Sequence, residues 1–130
     1  MTLEELRAQE PELVSQIPIE ENIRSITYAQ DKVGIVTDNV EGGDPYKLRI
    51  YDREGSPVFE KTFNYQYTGF DIDGDLVLLY NDSSCKVYNM TGTEKYNGTF
   101  DFTVSKVSAG RFPGTLLVMG PQKMTEIKLQ

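Results

Sequence analysis

Four aspartates in a short span are the residues best spaced to do chemistry. Asp71, Asp73, Asp75 and Asp82 fall at positions 1, 3, 5 and 12 of a loop, the spacing with which carboxylate oxygens surround a calcium ion. Two positions depart from that pattern. Leu76 stands where the sharp turn wants glycine, and the twelfth position is Asp, a shorter arm than the bidentate Glu. The same stretch also makes a turn, because Asp73-Gly74 reads as a hairpin between two strands, matched by Gln30-Asp31 earlier in the chain. Calcium is therefore a weak candidate, and no metal site is expected.

Other chemistry is narrowed by composition. The chain has no histidine, which excludes Ser-His-Asp and Cys-His nucleophile pairs and His-ligated zinc. Paired carboxylates hydrolyse glycosides without histidine, but Asp44, Asp52 and Asp101 sit among turn residues, where exposed acids are ordinary. Tyr65, Tyr67, Phe102 and Phe112 offer either an aromatic platform for a glycan or peptide, or packing between sheets; packing is the commoner use of such rings. The single cysteine, Cys85, can form no intrachain disulfide, and its place in the repeat described below points inward, to a buried inert thiol. Three formal N-glycosylation acceptors begin at Asn81, Asn89 and Asn97, and each follows from a turn rich in Asn, Ser and Thr. No catalytic residue and no cofactor follow from these positions.

Net charge is −7, and most of it is local. Glu4, Glu5, Glu10, Glu12, Glu20 and Glu21 outweigh Arg7 in residues 1–22, so the remainder is nearly neutral. A pI near 4.6 and the lack of a basic patch argue against nucleic acid and anionic lipid. No window reaches the 18 or so apolar residues of a membrane span, so membrane insertion by this segment is not expected.

The elements that would position these residues divide at about residue 22. In the acidic segment 1–22, Thr2 and Glu5 have capping-box spacing and Leu3, Leu6, Leu13, Val14 and Ile17 recur at helical intervals, interrupted by Pro11. A short helix ending near Glu10 is one expectation; an outer strand over residues 11–19 is the other. From Ile23 onward, Gly and Asp punctuate runs of Val, Ile, Tyr, Phe and Thr every 8 to 12 residues or so, the pattern of an all-β chain.

That β region repeats. Leu48-Arg49-Ile50-Tyr51-Asp52-Arg53-Glu54-Gly55 overlays Cys85-Lys86-Val87-Tyr88-Asn89-Met90-Thr91-Gly92 at an offset of 37, which also carries Phe63 onto Phe100 and Phe70 onto Val107. An offset of 44 places Ile19, Ile26 and Ile35 on Phe63, Phe70 and Leu79, the excess length lying in the insert Val40-Glu41-Gly42-Gly43-Asp44-Pro45. Leu117-Val118-Met119 falls on Leu78-Leu79-Tyr80, and Glu126-Ile127-Lys128-Leu129 on Cys85-Lys86-Val87-Tyr88. The units are approximately 23–63, 64–100 and 101–130.

Burial is graded within a unit. Second strands are continuous apolar runs (Leu76-Val77-Leu78-Leu79-Tyr80; Leu116-Leu117-Val118-Met119), as for strands covered on both faces. Third strands alternate, and fourth strands are polar with aromatic anchors. The fold class is all-β, with β-propeller-like blades of four antiparallel strands: two whole blades and part of a third. Closed propellers need about four blades or more. The expectation is therefore the C-terminal part of a longer propeller, or self-association of an arc whose end faces are apolar.

Asp31-Lys32-Val33-Gly34-Ile35-Val36-Thr37-Asp38-Asn39, Tyr67-Thr68-Gly69-Phe70, Gly74-Asp75-Leu76-Val77-Leu78-Leu79-Tyr80-Asn81 and the ending Thr125-Glu126-Ile127-Lys128-Leu129-Gln130 resemble the C-terminal portion of an uncharacterised bacterial family, domain of unknown function 5711, found in Firmicutes. The resemblance spans roughly residues 17–130 and rests on turns and strands, which carry no chemistry. It implies a membrane-anchored N-terminal helix followed by propeller-type repeats outside the cell. No catalytic residues are known for the family, so none are carried over. The sequence thus points to a non-catalytic protein-interaction or scaffold module with a protein or glycan ligand. Its alternative is a carbohydrate-binding or glycoside-processing domain using acids and aromatics.

Overall fold

The structure, a computed structural model, describes residues 16–29 and 31–129. Eleven strands follow in order: β1 (Ile23–Ala29), β2 (Lys32–Asp38), β3 (Tyr46–Asp52), β4 (Pro57–Phe63), β5 (Gly69–Asp73), β6 (Leu76–Tyr80), β7 (Ser84–Asn89), β8 (Glu94–Thr99), β9 (Lys106–Ala109), β10 (Thr115–Met119) and β11 (Met124–Lys128). They form three antiparallel sheets, β1-β2-β3-β4, β5-β6-β7-β8 and β9-β10-β11, each ordered as in the sequence. These are two four-stranded blades and a three-stranded third. The helix expected before Glu10 lies outside the described residues, as does most of the alternative outer strand; residues 16–22 carry no assigned strand, yet alternate exposed and half-buried with Ile17, Ile19 and Glu21 inward.

The core lies between blades. One cluster joins Val36, Leu48, Ile50 and Phe63 of blade 1 to Ile72, Val77, Leu79 and Tyr88 of blade 2. The other joins Leu76, Leu78, Cys85 and Val87 of blade 2 to Val104, Val107, Leu116 and Val118. Alternation explains this directly: odd and even residues of β6 point to opposite faces, and both faces meet a neighbour. At the first junction the sheets approach so closely that a Cβ on Gly34 would lie 2.9 Å from Cζ of Phe70 and 3.1 Å from Cδ1 of Ile72.

The expectation that second strands lie deep holds for Leu76–Leu79 of β6, with Tyr80 half-buried, and fails for β10. Leu116 and Val118 are fully buried, whereas Leu117 and Met119 are half-buried, because blade 3 has no described neighbour on its far side. Two registers also shift. The turn between β5 and β6 is Gly74-Asp75, since Asp73 pairs with Leu76 and Gly74 has φ of +61°. Leu116 pairs with Ile127 as Val77 pairs with Tyr88, so Ile127 falls on Tyr88, two residues from the overlay read off the sequence. A slip of two keeps each side chain on its own face, which is why the apolar pattern did not reveal it.

The turns between third and fourth strands are built alike. Gly55 and Gly92 have φ of +83° and +81°, a conformation that costs other L residues about 1 kcal/mol. Asp52 Oδ1 accepts the N–H groups of Glu54 and Ser56 at 3.0 and 2.8 Å, and Asn89 Oδ1 those of Thr91 and Thr93 at 3.0 and 2.9 Å.

Candidate functional site

The sequence-predicted residues separate in space. Asp71 and Asp73 share β5; Asp73 Oδ2 accepts the Ala109 N–H at 2.8 Å, stitching blade 2 to blade 3, and Asp71 Oδ1 accepts from the Thr27 hydroxyl at 3.4 Å, toward blade 1. Asp75 lies in the turn before β6 and Asp82 in the loop beyond its other end, where its carbonyl accepts the Val104 N–H at 2.9 Å. Among the described residues no three His, Cys, Asp or Glu side chains converge as a metal ion would require. A small polar cleft of about 170 Å³ does open between β5 and β9, bordered by Asp71, Asp73, Lys106 and Ser108.

Among the described residues, the carboxylates with displaced proton affinity all move downward. Hydrogen bonds from Arg111 hold Glu126 low, Lys32 does the same for Asp31, and Glu21 is lowered by a backbone hydrogen bond and by Arg49. A general acid for glycoside hydrolysis needs the opposite shift.

The aromatics are divided between junctions instead of forming one platform. Tyr67 joins Tyr46, Phe63 and Phe70, its hydroxyl 2.6 Å from Ser25 Oγ; Tyr65 bonds Ser84 Oγ at 2.7 Å. Phe102 packs at a tilt against Phe100 and lies beneath Lys123. Phe112 stays exposed, with the Arg111 guanidinium over its ring. Cys85 is fully buried, and desolvation pushes its thiol up to about 12. Asn81 and Asn89 use their side chains to close turns.

What the sequence did not single out is a surface on blade 1. In the repeat, Phe70, Ile72, Val77, Leu79 and Tyr88 form the face that blade 2 turns toward blade 1. Their counterparts on blade 1 are Ile26, Tyr28, Val33, Ile35 and Tyr51. Ile35 and Tyr51 are buried, but Ile26 is 67% and Tyr28 81% exposed. Beside them runs a groove of about 400 Å³ lined by Ile17, Tyr28, Val33, Tyr51 and Gly55, together with the charged Asp31, Lys32, Asp52 and Arg53. Farther out, Arg49 pairs with Glu21 at 2.7 Å and Lys47 with Glu60 at 3.3 Å. The surface is an apolar inner strip with a charged outer margin. Subtracting 44 from Phe70 and Ile72 would have located it.

A family model described as a family of unknown function, DUF5711, matches residues 6–129. The chain belongs to that family. No curated protein matches it. Among solved structures, a crystal structure titled HIRA(644-1017) is similar over 91% of this chain and 39% of that one, at 13% identity and a TM-score of 0.58. BamB from Moraxella catarrhalis is similar over 78% of this chain and 30% of its own, at 12% identity and a TM-score of 0.43. Both are β-propeller proteins. The computationally designed Ika4 protein is covered completely, at 10% identity and a TM-score of 0.41. At such identities the HIRA likeness establishes the fold alone; this DUF5711 chain spans less than two-fifths of the length of the first two structures.

Proposed function

We propose that this DUF5711 chain is a non-catalytic interaction module, an arc of blades that offers the outer face of blade 1 to another protein. The supporting observation is the exposure of Ile26 and Tyr28 at positions whose repeat counterparts are packed. Apolar surface left open where the repeat supplies a cover is a feature of protein contact sites. The downward-shifted carboxylates and the dispersed aromatics fit a scaffold better than a glycosidase. No helix among the described residues is long and apolar enough to cross a membrane; a position outside the cytoplasm, implied by the family resemblance, belongs to the same proposal.

The test uses an environment-sensitive apolar dye and the full chain at increasing concentration. Dye binding or self-association that is lost in the Ile26→Glu/Tyr28→Glu variant, with unchanged circular dichroism, is the expected result. A wild-type chain that remains monomeric and dark with the dye would overturn the reading.

A further inference from the structure

Among the described residues blade 3 has three strands and no fourth. β4 and β8 cover the outer edges of β3 and β7, whereas among the described residues the outer edge of β11 pairs with nothing. An open edge of this kind is a template for another strand. At the other end of the arc stands a segment with the character of a fourth strand that joins no sheet among the described residues. Residues 16–20 alternate exposed and half-buried, with Ile17 and Ile19 inward. Ile17 lies beside Tyr51 and Gly55 of blade 1. Lys61 of β4 holds the same relation to blade 2, its ammonium 5.1 Å from the Tyr88 ring centroid and bonded to the Gly92 carbonyl at 3.0 Å. Tyr51 with Tyr88, and Gly55 with Gly92, are repeat counterparts. The segment therefore occupies, relative to blade 1, the place of the outermost strand of a preceding blade.

We propose that a second copy of this chain supplies that blade. Residues 16–20 of one copy add to the free edge of β11 in the other, and the outer face of blade 1 packs on the far side of the partner's blade 3. This rests on the reading of the blade 1 face as a docking surface and names its occupant. Three blades from each of two copies make six, within the range of roughly four to eight over which propellers close. Exchange of an identical element between copies is a low-cost route to a closed pair.

The register follows from the repeat. Lys61 pairs with Leu48 and Gly98 with Cys85, and the next members of those series set Ile17 opposite Met124. Met124 is 59% exposed, and Leu117 and Met119 beside it are half-buried and apolar. In that register Glu20 is a diagonal neighbour of Lys123, a favourable cross-strand pairing.

The experiment combines the particle mass of the wild-type chain by light scattering with disulfide trapping between two separately purified variants, Ile17→Cys and Met124→Cys. Cys85 is buried and its thiol stays protonated, so it does not compete. The expected results are a wild-type particle of twice the chain mass, and a covalent dimer in the mixture several-fold more abundant than in either variant alone. A single-chain mass overturns the pairing, and dye binding then still decides whether the blade 1 face is a docking surface. A two-chain mass in which Ile17→Cys links mainly to itself also overturns it, showing face-to-face contact of two first blades and leaving the docking reading intact.

Discussion

Ile72 and Tyr28 hold the same place in successive repeats and meet opposite fates. Ile72 on blade 2 is 7% exposed against Val36, Leu48 and Ile50; Tyr28 on blade 1 is 81% exposed. Both are apolar, both sit on the innermost strand, and both point to the same side of their sheet. What differs is the neighbour. In a repeat architecture each unit contacts only the next, so burial belongs to the junction and not to the unit. Shape complementarity belongs there too, as the close approach of Gly34 to Phe70 and Ile72 shows.

The sharpest way to break this comparison is to truncate both members. Ile72→Ala should cost about 2 to 5 kcal/mol by urea unfolding, as for other buried large-to-small changes. Tyr28→Ala should stay within about 0.5 kcal/mol in dilute chain. Equal losses would mean that blade 1's outer face is already packed. A middle-sized effect tests whether the two third-to-fourth strand turns are equivalent. Asn89→Ala and Asp52→Ala each remove an oxygen that accepts two backbone N–H groups, and each should lower stability by about 1 kcal/mol; a much larger loss in one would show that the turns are not interchangeable. The smallest effect near neutrality concerns Cys85. Its folded pKa of about 12 lies above the ordinary 9.0, so its contribution is fully present below pH 9 and falls as pH rises toward 12. The stability of wild type relative to Cys85→Val should be flat up to pH 9 and decline above it; a flat difference to pH 11 would show that the thiol is not desolvated.

The repeat made the blade architecture legible, because offsets of 37 and 44 carry strand onto strand with apolar residues on the matching faces. Leu76, Leu78, Cys85 and Val87 were readable as core for that reason. Ile127 was misplaced by two residues, since a β pattern repeats every two and an even slip leaves it unchanged. Leu117 was read as deeply buried because its own strand is apolar, while its exposure depends on a neighbour outside that strand. The aspartates of β5 drew attention through their spacing, yet Asp73 serves to tie Ala109 across a junction, a pairing between blades that no local motif encodes. The surface of Ile26 and Tyr28 was implicit in the repeat and invisible to any search for chemical motifs.

In all three sheets every hydrogen-bonded pairing joins strands adjacent in the chain, and the longest described connection within a blade is the seven residues 39–45 between β2 and β3. Loops that short close in well under a microsecond, and low contact order speeds β-rich chains that otherwise fold slowly. Each blade can thus pair its strands as it leaves the ribosome and bury their faces when the next blade docks, and duplication of one unit in the gene lengthens the arc without rewiring any strand already paired.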